Sequence, residues 1–127
     1  MSMKKHITFL LTAGGALLLA LGGCEPENLP PEVNAGPDLV VVPPDNKAEL
    51  KGSATDADGT IVSYQWTKVS GPSSSRLTDP STPTTWVEAL EEGTYVFRLL
   101  ATDNDGLSDA DEVTVWVGDP CYGCWDY

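Results

Sequence analysis

Gly93-Thr94-Tyr95-Val96-Phe97-Arg98-Leu99-Leu100-Ala101 decides how this chain folds. Tyr95, Phe97, Leu99 and Ala101 recur at every second position. In an extended chain that spacing puts all four on one face, whereas a 3.6-residue period would scatter them. The same alternation recurs outward from this stretch. Val113, Val115 and Val117 show it downstream; Val62, Tyr64 and Trp66 show it upstream, leaving through Gly71-Pro72. Ala48, Leu50, Gly52 and Ala54 alternate with polar neighbours, Leu39-Val40-Val41-Val42 ends at Pro43-Pro44, and Trp86-Val87 follows Pro83. Short alternating runs between Gly, Pro, Asn and Asp read as antiparallel strands. Glu88 to Glu92 is the one helix-like piece and is too short to count. About six or seven strands with no βα alternation predict an all-β, immunoglobulin-like antiparallel β-sandwich over residues 33–117. Trp66 and Trp86 fall on inward faces in this reading, and Trp116 faces outward.

The segment before the sandwich sets the compartment. Lys4 and Lys5 precede an apolar run from Ile7 to Ala20, and Leu21-Gly22-Gly23-Cys24 follows. A basic start, a short apolar stretch and small residues read as a signal peptide over residues 1–23. The run is shorter than the ~20 apolar residues that span a bilayer. Leu21-Gly22-Gly23-Cys24 resembles the lipobox of bacterial lipoproteins. That resemblance implies cleavage before Cys24, a lipid (palmitate among its acyl chains) on the Cys24 thiol and anchoring to a membrane, the outer one in a Gram-negative cell. Residues 24–32, with Glu25-Pro26-Glu27-Asn28-Leu29-Pro30-Pro31, read as a lipidated N-terminus and an extended Pro-rich tether. At ~3.1 Å per residue it would lift the domain roughly 20–25 Å from the bilayer.

Composition narrows the partners. The chain carries 19 acidic and 7 basic residues, a net charge of −12. Lys4 and Lys5 belong to the signal, so the rest is more acidic still. Such a charge repels phosphate backbones, so nucleic acid is excluded as a partner. His6 is the single histidine and also lies in the signal. Ser73-Ser74-Ser75 therefore has no histidine base nearby in the processed chain, and it reads as a loop. Cys121 and Cys124 stand in a tail, residues 118–127, with no helix signal. In an oxidising compartment they are expected to form a disulfide. Free thiols remain an alternative, and redox or zinc chemistry would need a helix start or two further ligands.

Asp56-Ala57-Asp58-Gly59-Thr60-Ile61-Val62-Ser63-Tyr64-Gln65-Trp66, with Val69-Ser70-Gly71-Pro72, resembles the PKD domain. The match is nearest to the branch found in REJ modules and in dyslexia-associated KIAA-type receptors. Asn34-Ala35-Gly36-Pro37-Asp38 is similar to its opening. Gly93 to Leu99 and Thr102-Asp103-Asn104-Asp105-Gly106 are similar to its sixth strand and the turn after it. The Phe-Gly-Asp-Gly turn of many PKD domains is replaced here by Thr67-Lys68-Val69-Ser70-Gly71-Pro72. The resemblance implies a sandwich used for adhesion, display, spacing, or protein and carbohydrate contact, and no catalysis.

Two turns share a pattern, Asp56-Ala57-Asp58-Gly59 and Asp103-Asn104-Asp105-Gly106. An EF-hand loop would need a bidentate Glu at its twelfth position. Thr67 and Thr114 stand there instead. In an immunoglobulin-like sandwich the two turns lie at one end, and the first strand brings Asn34 to the same end. Asn34, Asp56, Asp58, Asp103 and Asp105 are therefore the expected ligands of a Ca²⁺ ion, which takes six to eight oxygens. Some PKD domains resembling this one bind Ca²⁺ through the equivalent turns. The alternative is that Asp-x-Asp-Gly simply makes good turns. A glycosidase pair of carboxylates would need a sugar cleft that short turns do not build.

Trp116, and Tyr122 and Trp125 in the tail, are candidates for contact with an envelope protein or a glycan. The first strand starts at the Asp-turn end and the last strand ends about 30 Å away. The Asp turns are thus expected to face the tether and the aromatic tail to face away from the membrane. The reading that results is a non-catalytic, lipid-anchored binding or display module of the bacterial cell envelope. A spacer without a specific ligand is the alternative.

Overall fold

The computed structural model describes residues 27–120. The expected signal segment 1–23, and Cys24, Cys121, Tyr122, Cys124 and Trp125, lie outside the described residues. Nine strands form among the described residues: β1 (Glu32–Asn34), β2 (Leu39–Val41), β3 (Ala48–Lys51), β4 (Ser53–Thr55), β5 (Ile61–Ser70), β6 (Arg76–Leu77), β7 (Thr84–Glu88), β8 (Gly93–Asp103) and β9 (Ser108–Val117). They make a four-stranded sheet β2-β9-β8-β5, a three-stranded sheet β3-β7-β6 and a two-stranded ladder β1-β4. The helix-like Glu88–Glu92 piece ends β7 and turns into β8.

The core follows the alternation of β8. Tyr95, Phe97, Leu99 and Ala101 are fully buried, while Thr94, Val96, Arg98 and Leu100 between them are more open. Val113, Val115 and Val117 of β9 continue the same face. Val33, Leu50, Trp66 and Val87 close it from the other layer and from β5. Fully burying such a side chain is worth about 1.5–3 kcal/mol, so this face supplies the main favourable term. Tyr95 and Phe97 lie with ring centroids 6.0 Å apart and nearly parallel.

The chain crosses between layers just after β1. Gly36 sits at φ 89°, and a Cβ there would lie 2.7 Å from the Lys51 carbonyl oxygen. Only glycine fits that conformation and that approach. Two carboxylates pin the crossing to β9: Asp111 Oδ2 accepts from Ala35 N–H at 2.9 Å, and Asp38 Oδ1 accepts from Thr114 N–H at 2.9 Å. After the crossing β2 runs parallel to β9. The sandwich is otherwise antiparallel as expected, and this pair departs from that expectation because the chain changes sheet without changing direction.

Two expected inward residues point outward. Val62 is 61% exposed because a bulge between Ile61 and Ser63 inserts one residue and shifts the parity of β5. Ile61 packs on the core in its place. Trp86 is 41% exposed. Thr85 and Val87 take the inward positions of β7, opposite Leu50 and Ala48. The buried Thr85 hydroxyl is occupied by accepting from Asp79 N–H at 3.0 Å. Trp86 instead stands beside Glu49, with Lys47 Nζ 5.3 Å from its ring centre. Trp116 is half-buried, and Gly118 packs close against its ring.

Candidate metal centre

The turn after β4 and the turn between β8 and β9 meet at one end of the sandwich. Asn104 joins them: its N–H donates to the Thr60 carbonyl at 3.0 Å, and its Oδ1 accepts from Thr60 N–H at 3.0 Å. Gly59 leaves room for this clasp, since a Cβ there would lie 2.2 Å from Asn104 Oδ1. The clasp brings Asp56, Asp58 and Asp103 together, with one carboxylate oxygen from each all within 4.8 Å of one another.

Each of the three carboxylates spends one oxygen on the backbone. Asp103 Oδ1 accepts from Asp105 N–H at 2.9 Å and Leu107 N–H at 2.8 Å. Asp56 Oδ1 accepts from Asp58 N–H at 3.2 Å, and Asp58 Oδ2 accepts from Leu29 N–H at 2.7 Å. The other oxygens of Asp56 and Asp103 are buried and have no hydrogen-bond partner. An orphaned buried carboxylate oxygen is costly. Two of them beside a third carboxylate suit a cation. Ca²⁺ binds oxygens at 2.3–2.6 Å, so oxygens up to about twice that distance apart can share one ion. Asp56, Asp58 and Asp103 thus have the chemistry and spacing that would suit a hard cation.

Electrostatics agree with that fit. The Asp56 carboxyl is raised above its ordinary value, first by the Asp58 carboxyl beside it, then by desolvation and by the nearby Asp58 and Asp103 charges. Asp58 is lowered, first by the Leu29 N–H and then by Asp56. One carboxyl of the pair therefore resists ionisation while its neighbour ionises easily.

The other expected ligands are placed differently. Asn34 Oδ1 accepts from Gly36 N–H at 2.8 Å and serves the crossing turn. Asp105 is exposed and outside the three-carboxylate group, and its part in the turn is the N–H it donates to Asp103 Oδ1 at 2.9 Å. Three residues went unforeseen: Asn104 as a clasp, Gly59 beneath it, and Leu29 as donor to Asp58. Pro31, expected in the free tether, is buried, so the domain begins earlier than residue 33.

A two-layer β-sandwich of this topology, with acidic turns at one end, defines an immunoglobulin-like class of module. Residues 35–117 match the family described as K319L-like, PKD domain, and the chain belongs to that family. It is 40% identical over 94 residues to the human dyslexia-associated protein KIAA0319, covering 73% of this chain and 9% of that protein. It is 35% identical over 105 residues to human low-density lipoprotein receptor-related protein 11, covering 82% and 21%. The chain thus spans a small part of the curated relatives it matches. Among solved structures, the PKD domain of the KIAA 1837 protein superposes with a TM-score of 0.64 at 32% identity, over 78% of this chain and 95% of that one. A PKD domain of human KIAA0319 gives 0.60 at 25%, over 76% and 89%.

Proposed function

We propose that this chain is a non-catalytic, lipid-anchored module of a bacterial envelope, held by Cys24, which presents a PKD-like sandwich to an envelope protein or a glycan. The observation that carries it is the family match over residues 35–117 on a chain whose first residues read as a lipoprotein signal. Ca²⁺ at Asp56, Asp58 and Asp103 supports the module and performs no chemistry on a substrate. Trp86 offers an exposed aromatic on one sheet face, and the tail residues Tyr122 and Trp125 remain partner candidates alongside the half-buried Trp116.

Two measurements test this reading. Metabolic labelling with palmitate should mark the full chain and leave Cys24→Ser unlabelled; equal labelling or none in both removes the anchor. Glycan-array and envelope pull-down signals should drop on Trp86→Ala or Trp116→Ala. Unchanged capture by both variants contradicts a contact through these faces. Failure of the unmodified chain to capture anything favours the spacer reading instead.

A further inference from the structure

We propose that Asp58 couples the cation site to the tether, so that a bound cation fixes the direction in which the domain leaves its anchor. The proposal rests on the cation reading above. Asp58 faces both ways: it belongs to the three-carboxylate group, and its Oδ2 accepts from Leu29 N–H at 2.7 Å. Leu29 lies 29 residues earlier in the chain, so this is a contact between the incoming tether and the turn. Exposed to water, such a bond persists only if the acceptor is already in place. Without a cation, the like charges of Asp56, Asp58 and Asp103 crowd one turn, so the Asp58–Leu29 bond forms against their repulsion. A cation held by all three reverses that force and holds Asp58 in the orientation that meets Leu29.

The chain beyond the contact transmits the effect. Pro30 and Pro31 follow Leu29, and Pro31 is buried against the domain. Both prolines have φ fixed near −65°, so few soft dihedrals remain between Leu29 and β1. Pinning Leu29 therefore sets the exit path of the tether, and releasing it returns that stretch to the extended, mobile regime of a Pro-rich linker. Coupling of this kind is reciprocal: whatever factor the cation adds to Leu29 docking, docking adds to cation affinity.

The test uses the full chain in detergent, titrated with calcium chloride and compared with Leu29→Pro, which lacks the N–H, and Leu29→Ala, which keeps it. Amide exchange at Leu29 should slow about tenfold at saturating Ca²⁺. Leu29→Pro should weaken the Ca²⁺ dissociation constant about three- to tenfold, and Leu29→Ala should not. Calcium binding with unchanged Leu29 exchange and equal affinity in Leu29→Pro overturns the coupling and leaves the cation site standing. No calcium binding in the full chain overturns both. An equal loss in Leu29→Ala and Leu29→Pro assigns the effect to side-chain packing and also overturns the coupling.

Discussion

Replacing Tyr95 by Phe removes one oxygen from the centre of the sandwich and leaves its ring in place. That hydroxyl accepts from Glu91 N–H at 2.8 Å and donates to the Ser74 carbonyl at 2.9 Å. It therefore ties the turn before β8 to the serine-rich loop before β6, two segments with no ladder between them. The ring is fully buried beside Phe97, so the substitution opens no cavity and keeps the stacking. What changes is satisfaction: a part-buried N–H and a part-buried carbonyl lose their partner. Each net hydrogen bond is worth about 1 kcal/mol, and leaving a buried group unpaired costs about 1–3 kcal/mol. Water reaches both groups in part, so the loss should be about 2 kcal/mol. For a domain of this size, 1 kcal/mol moves the melting point by about 4–8 °C, giving a fall of roughly 8–16 °C. Urea unfolding followed by tryptophan fluorescence would show a lower midpoint at unchanged slope. A change below about 0.5 kcal/mol would refute the claim that this hydroxyl holds the two segments together.

Other predictions follow from the same geometry. Gly52→Ala places a methyl group 2.3 Å from Leu99 Cδ2 and 2.9 Å from the Trp66 ring, so overpacking should cost about 1–3 kcal/mol by denaturant titration. Asp56→Asn should stabilise the chain in chelator increasingly as pH rises, because the adjacent Asp58 carboxyl, desolvation and the Asp58 and Asp103 charges all penalise an ionised Asp56. The sign follows from linkage: a raised folded-state value gives stability that is present below the unfolded value of 3.8 and is lost as pH rises through the folded value. The advantage of Asp56→Asn should therefore grow with pH across that window and vanish in acid, as melts at several pH values would show. A pH-independent difference would count against the raised carboxyl.

The fold was legible wherever alternation was strict. Tyr95 to Ala101 and Val113 to Val117 carry their burial in the spacing alone, because nothing interrupts the pleat. Val62 was misplaced because one bulge residue reverses the parity of everything before it, and Ile61-Val62 is a doublet that parity cannot resolve. Trp86-Val87 is a similar doublet; the inward place before it goes to Thr85, whose hydroxyl finds a partner in the Asp79 loop, which is distant in pattern though near in space. The site was legible in part. Asp-x-Asp-Gly twice over announced Asp56, Asp58 and Asp103, since such turns point carboxylates inward onto their own backbone. Asn34 and Asp105 carry the same chemistry in the sequence, yet the Asn34 amide oxygen serves the Gly36 N–H and Asp105 contributes its backbone N–H to Asp103. Leu29 and Asn104 act through contacts across the fold, which no local spacing records.

The most direct test of the central claim is a thermal melt of the full chain and of Asp103→Asn, each with chelator and with saturating CaCl₂. Asp103→Asn keeps the oxygen that holds Asp105 and Leu107 and removes the charge at the buried, unpartnered one. At 100 times the dissociation constant, binding to the folded state adds about 2.7 kcal/mol, which raises the melting point roughly 10–20 °C. The unmodified chain should show that rise, and Asp103→Asn little or none. Superimposable melts of the unmodified chain with and without calcium would contradict the central claim.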